Sequence, residues 1–296
     1  MLFLLPLLLS VCVHQMNGKE DLGFTITPRK SRRIPPVTIT DLDFADDIAL
    51  LSDTIAQSQE MLVAVEQECK RVGLMLNSKK TKVMTLNTDI RPIIKTIDGS
   101  TLEVTDDFQY WGGWMESSEK DISVRRALDW KALHGNKRVW KSNLSDNIKR
   151  RLFVATVESV LLYGCESWTM TSTMERSMDG CYTRMLRMAL DTSWQEHLTN
   201  SQLYGKMERV TTKIKVRRLR MAGHCVRHPE LAVNPLVLWE PTHGRAARGR
   251  TRLTYTELMK RETGCTNTEE LMTAMTNRDV WRGLINSIRA ADPAST

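Results

Sequence analysis

Period-two alternation opens the most legible part of the chain. Between residues 38 and 51, Ile39, Leu42, Phe44, Ile48, Leu50 and Leu51 are residues that a sheet would bury. Leu42 and Phe44 share one face of a strand and Asp41 and Asp43 the other. The alternation breaks at Ala45-Asp46-Asp47, which predicts a hairpin turning there. Over residues 54–72 the period lengthens: Ile55, Leu62, Val65, Cys69 and Val72 fall on one helical face, and Gly73 supplies the stop. Leu74, Leu76, Val83 and Leu86 then predict extended chain, with a turn at Asn77-Ser78-Lys79-Lys80. Asp98-Gly99-Ser100 marks a turn between apolar pairs, in a hairpin that leads into residues 108–112.

From Asp121 onward the pattern is helical. Val124, Leu128, Leu133, Val139 and Trp140 predict one or two helices, and Ile148, Leu152, Ala155 and Leu162 another over residues 147–163. A further helix covers residues 179–190, with Arg184 and Arg187 one turn apart. Val280, Trp281, Leu284 and Ile288 give the apolar face of one or two closing helices over residues 271–288. At the other end, residues 1–13 are strongly apolar but short of the roughly 20 residues needed to cross a bilayer. Their length suits a signal-peptide core, although no Lys or Arg precedes them. Residues 19–36 form a basic loop or arm ending in Pro35-Pro36.

Composition changes this picture in one respect. The 296 residues, 41% hydrophobic and 26% charged, are those of an ordinary globular protein with room for one large domain or two to three small ones. The net charge of +7 is unevenly placed: residues 1–120 hold 13 Lys/Arg against 17 Asp/Glu, and residues 121–296 hold 29 against 18. An acidic half followed by a basic half suits a phosphate-rich partner, or simply a solvated basic surface. The basic residues concentrate in Lys213, Lys215, Arg217, Arg218 and Arg220, and again in Arg245, Arg248 and Arg250. Such runs neutralise phosphates in some proteins and form plain solvated faces in others. The six cysteines are widely separated with no CxxC pair, which excludes a disulfide framework and a zinc ribbon and reads as free thiols. His224, Cys225 and His228 lack the second cluster that a zinc finger requires.

The adjacent carboxylates Asp46 and Asp47 admit two readings. Aspartate is a common turn residue. Two neighbouring carboxylates also repel, and binding a divalent cation relieves that repulsion. Mg2+ takes one or two carboxylates together with substrate phosphates.

Phe44-Ala45-Asp46-Asp47 with Ile48-Ala49-Leu50-Leu51-Ser52 resembles the catalytic hairpin of reverse transcriptases, in the form found in non-LTR retrotransposons. The segments Gly73 to Met84 and Phe108-Gln109-Tyr110-Trp111-Gly112-Gly113-Trp114-Met115 resemble the next two palm motifs, in the family's order. Leu161-Leu162-Tyr163-Gly164-Cys165-Glu166-Ser167-Trp168 resembles a stretch that recurs after the palm. The resemblance implies an α+β fold: a partial polymerase palm, with an antiparallel hairpin packed on helices, then a mostly helical thumb and C-terminal region. Its divisions are 1–36 (palm-helix remnant or signal-like segment plus basic loop), 37–116 (palm), 117–200 (thumb-like) and 201–296 (basic, mostly helical).

The same resemblance implies RNA-directed DNA synthesis with Mg2+ held by Asp46 and Asp47, and Lys80, or else Lys82, acting on the pyrophosphate. Tyr110, Trp111 and Gly112 would grip the primer end, although the family usually has Leu where this chain has Trp111. The implied partners are an RNA template and a DNA primer or duplex, with deoxynucleotides only for a complete enzyme, no small-molecule cofactor and no membrane. The implied location is an intracellular ribonucleoprotein, nuclear or cytoplasmic. The family also needs a further aspartate and nucleotide-binding fingers ahead of the hairpin, and no stretch before Thr38 matches them. The expectation is therefore a polymerase fragment inactive by itself. Two alternatives are a noncatalytic nucleic-acid-binding protein and a secreted or membrane-associated protein led by its Leu-rich start.

Overall fold

A computed structural model describes residues 22–29, 31, 36–44, 47–86, 90–110, 112–115, 117–231, 233–240 and 253–292. The chain divides into two units, Met1–Phe108 and Gln109–Thr296. The signal-like residues 1–13, Asp46, Trp111, Arg245, Arg248 and Arg250 lie outside the described residues.

In the first unit β1 (Phe24–Thr27) pairs antiparallel with β2 (Val37–Ile39). The alternating stretch then forms β3 (Asp41–Phe44) and β4 (Asp47–Leu50), antiparallel with Phe44 opposite Asp47 and Asp41 opposite Leu50. The helix that follows, α1 (Ile55–Arg71), is started by Thr54. The Thr54 hydroxyl accepts from Gln57 N at 3.2 Å and the Gln57 side chain accepts from Thr54 N at 3.1 Å, a reciprocal cap for groups the helix leaves unpaired. Gly73, at φ +78°, ends it in the left-handed conformation that glycine adopts without strain.

Met61, Val65 and Cys69, at i, i+4 and i+8 of α1, pack with Leu22 against Ile48 and Leu50 of β4, while Leu62 faces Ile94 and Leu102. Each such burial contributes roughly 1.5–3 kcal/mol, so α1 is the support on which the hairpin rests. Ile55 and Val72, expected on this face, are exposed, because one opens the first turn and the other caps the last. Leu74 and Leu76 do not extend a strand. Leu74 N instead donates to Cys69 O at 2.8 Å and closes the helix end. A short parallel ladder joins β5 (Lys82–Met84) to β6 (Glu103–Thr105). The predicted turn at Asp98-Gly99-Ser100 is present, with Gly99 at φ +86° and Lys95 bridged to Thr101.

The second unit begins with β7 (Gln109–Tyr110) paired antiparallel to β8 (Gly113–Trp114). Helices follow: α2 (Ser118–Gly135), α3 (Lys137–Trp140), α4 (Asp146–Phe153), a π-turn at Val154–Glu158, α5 (Ser159–Leu161), α6 (Ser172–Ala189), α7 (Asn200–Tyr204), α8 (Val210–Arg227), α9 (Tyr255–Thr263), α10 (Thr268–Thr276) and α11 (Arg278–Ala290). The class is α+β, as expected, with short ladders and a helical majority.

Two apolar cores occupy this unit. One gathers Phe153, Val157, Leu161, Trp168, Tyr182 and Met185, the other Met259, Leu271, Met275, Trp281 and Ile285. Helix α8 serves both, with Val210 and Ile214 in the first and Val216, Leu219 and Ala222 in the second. Gly223 lets the second core close. A Cβ there would stand 2.2 Å from Trp281 Nε1, the group that donates to Leu219 O at 2.8 Å.

Several helical faces differ from the expected ones. Helix α2 buries Asp121, Ile122, Arg125, Asp129 and Leu133 and leaves Leu128 exposed, with Arg125 meeting the Gly112 carbonyl and Asp121 the Trp168 indole. Helix α4 turns Lys149 and Phe153 inward and Ile148 outward, in phase with Val157 within the π-turn and Leu161 beyond it. Trp281 and Ile285 carry the inner face of α11 while Val280 is exposed. Helix α6 begins at Ser172, capped by Thr171, well before the expected residue 179. Helix α9 was not expected at all.

Candidate functional site

The hairpin sets Asp47 at the first position of β4 with its side chain exposed. Two residues, Ala45 and Asp46, separate the paired ends Phe44 and Asp47, and both lie outside the described residues. Of the other acidic side chains of the first unit, Asp53 accepts from Thr25 N and Oγ1 at 3.1 and 2.7 Å, and Glu66 accepts from Ile97 N at 2.8 Å. Among the described residues no group of three His, Cys, Asp or Glu side chains could hold a metal ion. Of the expected carboxylate pair, Asp47 is the member among the described residues. Lys80 is exposed at the end of the turn after α1, its backbone N donating to Asn77 O at 3.0 Å. Lys82 forms an ion pair with Glu103. No hydrogen bond or ion pair among the described residues joins Asp47 to Lys80.

In the second unit two of the motif segments meet. Gly112, at φ +76°, presents its carbonyl to the Arg125 guanidinium, which lies over the Tyr163 ring with Cζ 4.4 Å from the centroid. A Cβ at Gly112 would stand 3.0 Å from Arg125 Nη2. One turn before Arg125, Asp121 accepts from Trp168 Nε1 at 2.6 Å. The peptide following Tyr163 therefore docks on α2 at both ends. It is also held from other sides: Arg217 Nη1 lies 3.8 Å from Glu166, Tyr255 Oη donates to Glu166 O at 3.1 Å, and Arg218 donates to Trp168 O. Burial, helped by Glu166, pushes the enclosed Cys165 thiol up to about 12. Tyr110 is half-buried at the end of β7.

The basic residues of α8 divide by environment. Arg218 is fully buried and pairs with Glu262, so it is a core residue and presents no charge to a phosphate, contrary to the expectation from its place in the run. Lys213 pairs with Glu158 at 2.5 Å and Lys215 with Glu175 at 3.3 Å, both side chains mostly covered. Arg217 is half-exposed and donates to Leu162 O at 3.2 Å. Arg220 is exposed, with no ion pair among the described residues. Interleaved Ile214, Val216, Leu219 and Ala222 turn most of this helix into core. The carboxylates that meet its cations lie about 40 to 55 residues away in sequence, beyond the reach of local pattern.

Sequence reasoning did not single out the carboxyl of Asp129. It is fully buried, and neither oxygen has a hydrogen-bond partner. Burial, with Glu158 nearby, raises it to about 8. Glu158 itself accepts from Tyr182 Oη and from Lys213 Nζ.

The chain is similar to an uncharacterised transposon-derived protein of Caenorhabditis elegans, 26% identical over 245 residues that cover 78% of this chain and 87% of that protein. No protein-family model matches, and no solved structure does. The similarity supports a transposable-element origin. Among the described residues no helix is long and apolar enough to cross a membrane.

Proposed function

We propose that this transposable-element-related chain carries the later palm and the thumb of a reverse-transcriptase-like polymerase, and that by itself it binds nucleic acid without incorporating nucleotides. One observation carries the family reading: strands 41–44 and 47–50 pair antiparallel with Phe44 opposite Asp47. That is the local geometry the resemblance requires around its aspartate pair.

The lack of incorporation follows from the chemistry. Two-metal phosphoryl transfer needs ligands that hold both ions about 3.5–4 Å apart across the reacting phosphate. Adjacent carboxylates at one hairpin cannot bracket that phosphate from two sides, and of the described carboxylates of the first unit Asp53 and Glu66 are engaged with Thr25 and Ile97. Losing the anchoring of one ion removes several kcal/mol of transition-state stabilisation, at about tenfold in rate per 1.4 kcal/mol. Binding draws on the basic excess of residues 121–296, 29 Lys/Arg against 18 Asp/Glu.

The test is primer extension on an RNA template with Mg2+ or Mn2+, beside a binding titration over a range of salt. The expected result is no extension, with binding that weakens steeply as salt rises. Extension that disappears in Asp46→Ala or Asp47→Ala would overturn the noncatalytic half of the reading. Affinity that does not change with salt would overturn the other half.

A further inference from the structure

With most α8 cations neutralised internally, the surface charge of the second unit must come from elsewhere. Residues 130–145 hold four Lys/Arg and no Asp or Glu. These four, Lys131 on α2 and Lys137, Arg138 and Lys141 on and just after α3, are all exposed, with no ion pair among the described residues. The backbone beneath them is firmly set. Trp140 is 3% exposed and donates from Nε1 to Leu133 O at 2.8 Å, and Leu133 is fully buried. At the joint, Asn136 donates from Nδ2 to Ala132 O at 2.9 Å. Trp130 stacks on His134, ring centroids 5.8 Å apart. The inward residues thus fix the α2–α3 corner, and the cations occupy its outer side without a carboxylate between them.

We infer that this corner, from Lys131 to Lys141, is where the protein takes the phosphodiester backbone of a nucleic acid. The inference rests on the nucleic-acid reading above and gives it an address different from the basic run of α8. The recognition is of charge. Three of the four cations are lysines, point charges on flexible stems, Arg138 is the one planar donor among them, and Trp130, packed against the core, leaves no free stacking platform. RNA and DNA therefore bind alike apart from their charge density. Each phosphate contact contributes about 0.7 to the salt exponent on a single strand and about 0.9 on a duplex. Removing three contacts lowers that exponent by about two to three, and affinity at 0.1 M salt by about a hundredfold or more.

The experiment uses the full chain and three variants: Lys137→Glu/Arg138→Glu/Lys141→Glu, its neutral counterpart with Gln at the same positions, and Arg184→Glu/Arg261→Glu/Arg282→Glu, which makes the same change in net charge at other exposed sites. Probes are a single-stranded RNA, a DNA of the same sequence and an RNA duplex, titrated at several salt concentrations with circular dichroism as a fold check. The expected result is a lowered salt exponent on all three probes for both corner variants and little change for the distant one. Wild-type-like binding by the corner variants would overturn the inference and leave the proposed function standing. Equal loss in the distant variant would also overturn it, because diffuse charge would then account for binding. If the unaltered chain binds none of the probes, the inference and the binding function fall together. Should the Glu variant lose its helical signal, the Gln variant carries the same comparison.

Discussion

Arg218 and Glu262 meet as a two-point ion pair out of contact with water, Nη2 to Oε1 at 2.7 Å and Nε to Oε2 at 3.3 Å, their side chains 0% and 4% exposed. Burial still pushes the Glu262 carboxyl above its ordinary range despite the guanidinium beside it, so desolvation outweighs the attraction. Breaking one side leaves the other charge buried alone. Arg218→Ala is therefore expected to cost about 3–5 kcal/mol in denaturant unfolding. The joint change Arg218→Met with Glu262→Leu is expected to cost far less than the two single changes added. At temperatures where the single variant stays folded, its nucleic-acid salt exponent should equal that of the wild type.

Gly223 offers a test by addition. A methyl there would collide with Trp281 Nε1 and Cδ1, at 2.2 and 2.6 Å, both on a packed ring. Gly223→Ala should displace Trp281, remove its bond to Leu219 O, and destabilise by about 1–3 kcal/mol or somewhat more. The melting temperature reads the loss, and a red shift in tryptophan emission reads the displacement.

Asp129 makes stability depend on pH in a definite direction. Its folded pKa of about 8 lies above the ordinary carboxylate value of 3.8, so between those limits the folded state binds more protons than the unfolded one. Stability from this group is intact below about pH 4, falls as pH rises, and levels off above about 8. Glu158, close by, adds to the rise, while Lys213 and Tyr182 are engaged with Glu158. Asp129→Asn cannot ionise, and it should flatten the decline in melting temperature between pH 5 and pH 8. An unchanged slope would count against a neutral buried Asp129.

Thiol reactivity should be ordered by burial. Cys165 is fully enclosed and its thiol is pushed to about 12, while Cys265 is the most accessible of the five described cysteines. Limited alkylation of the native chain, followed by peptide mass spectrometry, should label Cys265 before Cys69, Cys165, Cys181 and Cys225.

Local order was the part of the fold most open to reading from sequence. Alternation around Asp41–Leu50 gave the hairpin, and Gly73 marked the end of α1, because both signals act within a few residues. The inner face of α2 was hidden because Asp121 and Arg125 look like solvent-facing residues until Trp168 and Gly112 are brought to them. Lys213, Lys215 and Arg218 misled for the same reason, since their carboxylates come from other helices. Helix α9 carried readable ends in Thr254 and Gly264, but its nine residues follow an arginine-rich stretch with no clear period. Of the site, the hairpin geometry at Asp47 could be read in advance. The exposure of the α3 cations could not, because it depends on what Leu133 and Trp140 do beneath them.

Helix α8 supplies side chains to two cores, and this has a hereditary consequence. A recombination or deletion breakpoint anywhere between α2 and α11 would leave one product with half of an interior and no means of closing it. A cut after α8 spares the first core and strips the second of Val216, Leu219 and Ala222, so residues 253–290 cannot be inherited as a folded piece without α8.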